Sequence, residues 1–465
     1  MLPDAPAIDL ARLGVVGRPD AEGRAGGGLC DDRVRFTLGI ERGELREVRF
    51  AADACPATVA ACAALAAGAE GASLLGAARL GVAATGAAPD RRRCADVAVD
   101  ALHAAIGDAF LRGARLDGVA AAVAMSGGVD SAVALHEAAK AHGADVVGVT
   151  LQLWIDPAAP DAERACCAPS AVRRAREACH ALGLAHVALD LRAGFRESVV
   201  EGFVAAYRGG HTPNPCVACN GGFRLDALVR FADQVGAPRL VTGHYARIVE
   251  RDGLALVARG VDAAKDQSYM LGRVRPELAA RLAFPLGERT KPDTRARALA
   301  LGLAAAHARE SQEVCFLGGG DYRDFLRRQG VPFAAGDVED EAGNVLGRHA
   351  GAAGFTPGQR RGIGVATAAP SYVLRVEPAR NAVIVAPRAR LATRRVRLVD
   401  AVVHVELAEV AAKLRYRSPA VPARLAGRGA ERTLDLSCDV SGVAPGQTAV
   451  LYDDGCVVGA GTIGA

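Results

Sequence analysis

Aromatic residues make up only 4% of the 465-residue chain, and lysine is nearly missing, with four of the 56 Lys and Arg residues. The cores must therefore be built mainly from alanine, valine and leucine, and positive charge is carried by arginine. A net charge of +4 under such a bias says little by itself about nucleic acid. Long hydrophobic runs are lacking too. The longest uncharged apolar stretch, Ala54 to Ala69, contains Pro56 and two cysteines. It falls short of the roughly 20 apolar residues that a bilayer-spanning helix needs, so no membrane is expected as a partner. The N-terminal MLPDAPAIDLARLGVVGRPD has an acid at position 4 and no basic segment leading into an apolar one. It does not resemble a secretion signal, and a cytoplasmic protein is expected. In that compartment the 12 cysteines read as metal, cluster or sulfur-transfer ligands among bland core cysteines, not as a disulfide framework.

The length suits several domains. Residues 1–112 carry the alternating stretches RVRFTLGI and LREVRFAA followed by alanine-rich helices, and LRGARLDG reads as a flexible linker. Residues 118–320 alternate buried strands with helices: VAAAVAM, a helix to Lys140, ADVVGVTLQLW, a helix over Ala171 to Leu182, AHVALDL and PRLVTGHYA. This is the pattern of an α/β, doubly wound parallel sheet. From about Tyr322 short alternating strands and glycine turns take over, which predicts two small β-barrels over 321–390 and 391–465.

The sharpest motif is Ser126-Gly127-Gly128-Val129-Asp130-Ser131, placed where a buried strand turns into a helix. Two glycines permit close backbone approach, the helix N-terminus faces an anion, and two hydroxyls add donors: a phosphate site. Asp130 is a candidate Mg²⁺ ligand. The motif lacks the GK[ST] ending of a Walker loop, so cleavage of ATP to AMP and pyrophosphate fits better than γ-phosphoryl transfer. The second constellation is His211-Thr212-Pro213-Asn214-Pro215-Cys216-Val217-Ala218-Cys219-Asn220, joined later by Cys315. A lone CxxC is equally a zinc half-site, a redox pair or a packing accident; beside an ATP site it points to sulfur transfer.

At these residues the chain resembles the tRNA-specific 2-thiouridylases of the pyrophosphatase-loop ATPases. The resemblance runs from Val119 to the C-terminus and includes Gly243-His244-Tyr245, Lys265-Asp266-Gln267-Ser268-Tyr269, Thr356-Pro357-Gly358-Gln359-Arg360, Arg415-Tyr416-Arg417 and Pro445-Gly446-Gln447. It implies ATP contacts from Ala124, Met125, Ser126, Gly127, Gly128, Val129, Asp130 and Ser131, with Leu151 and Gly243. It makes Cys219 the nucleophile and Cys315 the persulfide carrier. It sets Asn214, Pro215 and Cys216 near the target base, the anticodon wobble uridine, and assigns His244, Lys265, Asp266, Gln267, Arg415, Tyr416 and Gln447 to tRNA contact. Stacking by tyrosine and amide readout of unpaired bases are compatible with that. A cysteine desulfurase or a sulfur relay is implied as donor.

Two departures stand out: His211 where the family often has arginine, and Cys216 where many members have aspartate. Cys216, Cys219 and Cys315 offer three thiolates to a [4Fe-4S] cluster with one iron open, as in the cluster-dependent tRNA thiolases. The rival route uses the Cys315 persulfide and closes a Cys219–Cys315 disulfide. Both stay open at this stage.

Cys30-Asp31-Asp32, Cys55 in DACPAT and Cys94 in RRRCADVAVDAL are similar to the three-cysteine order of NifU-type iron–sulfur scaffold domains. That resemblance makes Cys30, Asp32, Cys55 and Cys94 the ligands of zinc or a transient cluster. Arg93 stands where a histidine is often found, leaving the fourth ligand undecided. Cys62, Cys166, Cys167, Cys179, Cys438 and Cys456 read as structural. The rival functions are an amidating ligase that uses ammonia and needs no thiol pair, and a non-enzymatic iron–sulfur delivery protein.

Overall fold

Alternation along the first strands buries one face of each. In β2 (Asp32–Glu41), Val34, Phe36 and Leu38 point inward, and in β3 (Glu44–Asp53) Leu45, Val48 and Phe50 do the same. With β1 (Ala21–Gly27) they form an antiparallel sheet in the order β1-β2-β3. Two alanine-rich helices cover it, α1 (Pro56–Ala69), started by Pro56 in the first turn, and α2 (Arg92–Leu111). The computed structural model describes residues 10–27, 31–160, 168–307, 314–365 and 369–465. Cys30, Cys166 and Cys167 lie outside the described residues.

The middle region is an all-parallel sheet of β4 (Ala121–Ala124), β5 (Val146–Gln152), β6 (Ala185–Asp190), β7 (Arg239–Val241) and the short β10 (Leu282–Ala283), in the order β10-β7-β4-β5-β6. The chain runs outward from β4 through β5 to β6 and then returns to the other side of β4 at β7. The switch of direction opens a crevice at the carboxyl ends of β4 and β7. The helix α3 (Val129–His142) follows β4, and α4 (Pro169–His180) lies between β5 and β6. A hairpin of β8 (Ala246–Arg251) and β9 (Leu254–Arg259) leaves this region and reaches the C-terminal sheet through a single pair, Ala258 opposite Cys456.

The β-rich part begins later than its composition suggests, because Asp321 caps a helix over Tyr322–Arg328 by accepting from the Arg323 N–H at 2.7 Å. Beyond it, β11 (Gly336–Glu339), β12 (Val345–His349), β13 (Ser371–Glu377) and β14 (Ala382–Pro387) form a four-stranded sheet ordered β12-β11-β14-β13. The last six strands are β15 (Ala392–Val403), β16 (Glu409–Lys413), β17 (Val421–Arg428), β18 (Glu431–Ser441), β19 (Thr448–Asp453) and β20 (Cys456–Ile463). They close into a barrel because β15 pairs with both β18 and β20. Three exposed barrel arginines are neutralised across β15 and β18: Arg394 by Asp439, Arg395 by Asp435 and Arg397 by Glu431.

The linker reading needs correction. The Leu116 N–H donates to the Gln234 carbonyl at 2.7 Å and the Gln234 amide donates to the Phe110 carbonyl at 2.7 Å. The two regions share one continuous core, in which Phe110 meets Phe231 edge-on at 5.1 Å. Asp100 on α2 accepts from Arg173 at 2.6 Å and from Arg176 at 2.8 Å on α4, and the Arg176 side chain is 5% exposed. A stretch rich in Gly and Arg looks free when apolar contacts to a distant element are not yet visible. Here it is docked.

We expect a chain cut between Gly113 and Gly118 to stay associated on a sizing column at micromolar concentration; separation into two species would contradict the docked geometry. Asp100→Ala should cost about 3 kcal/mol in denaturant unfolding, because it leaves the buried Arg176 charge without its carboxylate. A loss below about 1 kcal/mol would show the pair to be dispensable.

Candidate functional site

A cavity of about 770 Å³ opens at the carboxyl ends of β4 and β7. Its floor is the loop Ser126–Asp130 between β4 and α3. Gly127 has φ +70°, a left-handed conformation, and a methyl group there would stand 2.3 Å from the Ala171 carbonyl oxygen. Gly243, after β7, brings its backbone so close that an added methyl would lie 2.8 Å from the Asp130 carbonyl carbon. The Ser131 hydroxyl donates to the Gly128 carbonyl at 3.0 Å and accepts from the Ser126 N–H at 3.2 Å. The loop is thus pre-shaped, with the N-terminus of α3 directed at the cavity, as an anion site requires.

Asp130 is not left open for Mg²⁺. The Lys291 ammonium donates to both carboxylate oxygens, at 2.7 and 2.8 Å, and the Tyr245 hydroxyl donates to one of them at 2.9 Å. In this structure the Asp130 carboxylate is thus held by a cation and a hydroxyl of the chain itself.

The thiols reach the same cavity. The Asn214 side-chain oxygen accepts from the N–H groups of Cys216 and Val217 at 3.2 and 3.3 Å, capping α5 (Pro215–Ala218). Cys216 and Cys219 are three residues apart on this winding stretch and fall on one side of it. Cys219 is 7% exposed. Cys315 starts a short 3₁₀ turn, Cys315–Leu317, anchored by Phe316 in an aromatic cluster with Phe195, Phe203 and Phe325. Cys216, Cys219 and Cys315 all line the cavity with the phosphate loop.

The other expected residues divide between the cavity wall and its scaffolding. Pro215, His244, Lys265, Asp266, Gln267 and Tyr416 line the cavity. His244 accepts or donates with Thr242 at 2.6 Å, and burial, helped by Arg224, pushes it down to about 4, so it works as a neutral ring. Asp266 accepts from the Gly260 and Ser268 N–H groups at 3.2 and 3.0 Å, and Gln267 accepts from the Tyr245 N–H at 2.9 Å. Arg415 donates to the Pro357 carbonyl at 2.9 Å, and Gln447 donates to the Thr212 carbonyl at 2.8 Å. These bonds tie the proline loop, the four-stranded sheet and the barrel together. Ala124 ends β4, Met125 is 4% exposed, and Leu151 is packed in the core at 7% exposed.

The sequence reading missed Lys291, Arg174, Arg224 and Lys413, all in the cavity wall. Arg174 donates to the Gly127 carbonyl, and the Lys413 ammonium stands 5.7 and 5.8 Å from the Tyr269 and Tyr416 rings. For Lys291 and Lys413 the scarcity of lysine was the available signal; nothing in the sequence sets Arg174 and Arg224 apart from the other arginines.

A second cluster lies in the first region. Cys55 is the N-cap of α1, and its Sγ is 3.6 Å from Cys94 Sγ and 3.7 Å from an Asp32 oxygen. The Thr58 hydroxyl donates to Asp32 at 2.6 Å. Asp32, Cys55 and Cys94 offer ligand atoms all within 4.8 Å of one another, alone in doing so among the described residues. Burial pushes both thiols up; at Cys55 the Thr58 hydroxyl and N–H and the Cys94 thiol outweigh it and lower the pKa, while Cys94 stays raised beside Cys55. Two thiolates and a carboxylate fit zinc, with a position left for a further ligand. Cys62, Cys179 and Cys456 are buried as expected; Cys438 is exposed, so its structural reading is overturned.

Fold and cavity together define an α/β protein in which a phosphate loop and three cysteines share one cavity. The model of the tRNA methyl transferase HUP domain matches residues 119–319, that of the tRNA methyl transferase PRC-barrel domain 323–387, and that of the aminomethyltransferase beta-barrel domain 388–463. The bifunctional protein NifU/MnmA of Rubrobacter xylanophilus is 42% identical over 98% of this chain and 96% of its own. The tRNA-specific 2-thiouridylase MnmA of Methylorubrum populi is 44% identical over 73% of this chain and 92% of its own. The chain belongs to the tRNA-specific 2-thiouridylase family, in the form with a NifU-type region ahead of the thiolase. Among solved structures, the U34-tRNA thiolase NcsA from Methanococcus maripaludis with its [4Fe-4S] cluster covers 46% of this chain and 67% of its own at 16% identity, TM-score 0.27. A NifU-like protein from Brucella abortus covers 22% and 85% at 21% identity, TM-score 0.19.

Zinc titrated anaerobically into the full chain should bind at the first region, with Cys55→Ser and Cys94→Ser each losing that site. Cys62→Ala should keep it, since burial pushes the Cys62 thiol up to about 12 and holds it protonated. Undiminished zinc in Cys55→Ser would contradict the ligand assignment.

Proposed function

We propose that this chain thiolates the wobble uridine of tRNA at C2, using ATP to make the C2 oxygen a leaving group. The observation that carries the reading is the meeting of the phosphate loop with Cys216, Cys219 and Cys315 in one cavity. The uridine O2 attacks the α-phosphorus, and pyrophosphate leaves with the electron pair of the broken P–O bond. The terminal sulfur of a Cys315 persulfide then attacks C2, and AMP departs with the C–O electrons. The Cys219 thiolate attacks Cys315 Sγ and breaks the persulfide S–S bond. The sulfur stays on C2, a Cys219–Cys315 disulfide forms, and an external thiol reductant reopens it. Asn214, Pro215 and Cys216 meet the base; Lys265, Arg415, Tyr416 and Gln447 face the RNA, with Lys413 added to them. A cysteine desulfurase or a sulfur relay supplies the sulfur, and the work is assigned to the cytoplasm.

Cys216 favours a second reading of the sulfur step. Three thiols facing one cavity fit a [4Fe-4S] cluster, held by Cys216, Cys219 and Cys315, which would supply an iron able to carry sulfide. The regions 1–112, 118–320, 321–390 and 391–465 are taken as scaffold, catalytic, central β and tRNA-binding domains.

Cys219→Ala and Cys315→Ala should each abolish thiolation while tRNA binding stays within about twofold, because both thiols act after substrate is bound. Equal loss of tRNA binding, or thiolation retained in Cys219→Ala, would sink the assignment. Cys216→Asp separates the routes: anaerobic protein should lose cavity iron and activity together under the cluster reading, and keep activity under the persulfide reading.

A further inference from the structure

A sulfur carrier must stand at one place in the cavity, so the backbone beneath Cys315 matters as much as its thiol. That backbone is a single 3₁₀ turn, closed by the Leu317 N–H donating to the Val314 carbonyl at 3.0 Å. The chain leaves it through Gly318 in a left-handed conformation, φ +51°. One turn of 3₁₀ helix has little rigidity of its own. Its position has to be set by what it rests on.

The segment after β5 supplies that support. The Asp156 N–H donates to the Phe316 carbonyl at 3.0 Å, directly behind Cys315. Gly320, just past the turn, backs onto Pro160 of the same segment, where an added methyl would lie 3.3 Å from the proline ring. Trp154 meets Phe325 edge-on at 6.3 Å and so joins this segment to the helix Tyr322–Arg328, while Phe325 packs on Phe316 at 5.4 Å. A charge closes the circle. Arg328, the last residue of that helix, donates to the Asp156 carboxylate through two nitrogens, one of them at 3.1 Å, and the Ala158 N–H donates to it at 3.1 Å. Asp156 is 3% exposed, and neither it nor Arg328 belongs to the cavity wall. A buried carboxylate paired with arginine adds little stability that an apolar pair would not. It does fix direction, because the planar guanidinium fork accepts few geometries.

We propose that Asp156 is the positioning residue of the sulfur carrier: its backbone holds Phe316, its carboxylate holds Arg328, and together they set where the Cys315 thiol stands against the activated uridine. This role rests on the thiolation reading above and deepens it. It divides the reaction in two, because adenylation uses the phosphate loop and takes nothing from the Cys315 turn. A misplacement of about 1 Å is enough to cost about 100-fold in the rate of a step that depends on aligned reactants. Sulfur transfer therefore depends on Asp156, and adenylation does not.

The test follows pyrophosphate and 2-thiouridine in single turnovers of the full chain with unmodified tRNA, ATP, and cysteine with a cysteine desulfurase as sulfur donor. Asp156→Ala and Asp156→Asn are compared with wild type. In Asp156→Ala, pyrophosphate release should stay within about twofold of wild type while 2-thiouridine formation falls about 100-fold, so that adenylated tRNA accumulates. Asp156→Asn should lose less, since its amide oxygen still accepts from Arg328. In the free protein, iodoacetamide should alkylate Cys315 several-fold faster in Asp156→Ala, with Cys216 and Cys219 at their wild-type rates. Loss of pyrophosphate release in step with thiolation would mark a purely structural residue and overturn the proposal. Wild-type thiolation, or an unmoved Cys315 alkylation rate, in both variants would overturn it too. Should Asp156→Ala fail to fold by circular dichroism, Asp156→Asn carries the same readouts. If wild type itself forms no 2-thiouridine under these conditions, the thiolation reading fails instead, and this role with it.

Discussion

The cavity depends on one close contact between two loops. Gly243, after β7, lies against the Asp130 backbone, and nothing larger than hydrogen fits between them. That contact closes the crevice at the switch point between β4 and β7, and it also determines where Asp130 sits. Once Asp130 is placed, Lys291 and Tyr245 converge on its carboxylate and draw the helix Lys291–Ala300 and the segment after β7 into the same wall. The phosphate loop, the charge that faces it and the nearby neutral His244 therefore follow from one backbone approach. A side chain at Gly243 would move all of them.

The thiols are brought to this cavity by a different device. The proline loop is held at both ends: Asn214 caps the turn carrying Cys216, and Thr212 is tied to Pro445 and Gln447 of the barrel segment. The barrel also bonds to the segment around Ser268, where Tyr269 donates to the Thr448 carbonyl at 2.7 Å and Ser268 meets Tyr452 at 3.1 Å. The barrel is thus a structural wall of the thiol cavity, and many of its surface arginines are spent on cross-strand ion pairs. The first region is fastened in turn by Asp100 to α4, whose Arg174 touches the phosphate loop. The scaffold cluster and the nucleotide site belong to one packed body and are not joined by a loose tether.

Much of this was legible in the chain, and the legible part is local. A buried strand, SGGVDS and a helix follow one another within a few residues, so strand periodicity and turn chemistry suffice to mark the phosphate loop. Proline spacing and the CxxC mark the thiol turn in the same way, and Asp32, Cys55 and Cys94 are brought together as the scaffold resemblance implies. What could not be read is tertiary. Lys291 is 161 residues from Asp130 in sequence and sits in a stretch, TKPDTRARALA, that looks like any surface helix. The same distance hides the roles of Arg174 and Lys413. The linker misled because Leu116 and Phe110 pack against residues beyond 230, and the lysine partner of Asp130 was out of view.

The central claim is that ATP activation and sulfur transfer occur in one cavity. The most direct measurement is single-turnover stoichiometry with the full chain, wobble-unmodified tRNA, ATP and a sulfur donor, following pyrophosphate and 2-thiouridine in the same reaction. One pyrophosphate released per sulfur incorporated at the wobble uridine, with pyrophosphate release dependent on tRNA, is the result the account predicts. Thiolation without pyrophosphate, or pyrophosphate release indifferent to tRNA and without thiolation, would contradict it.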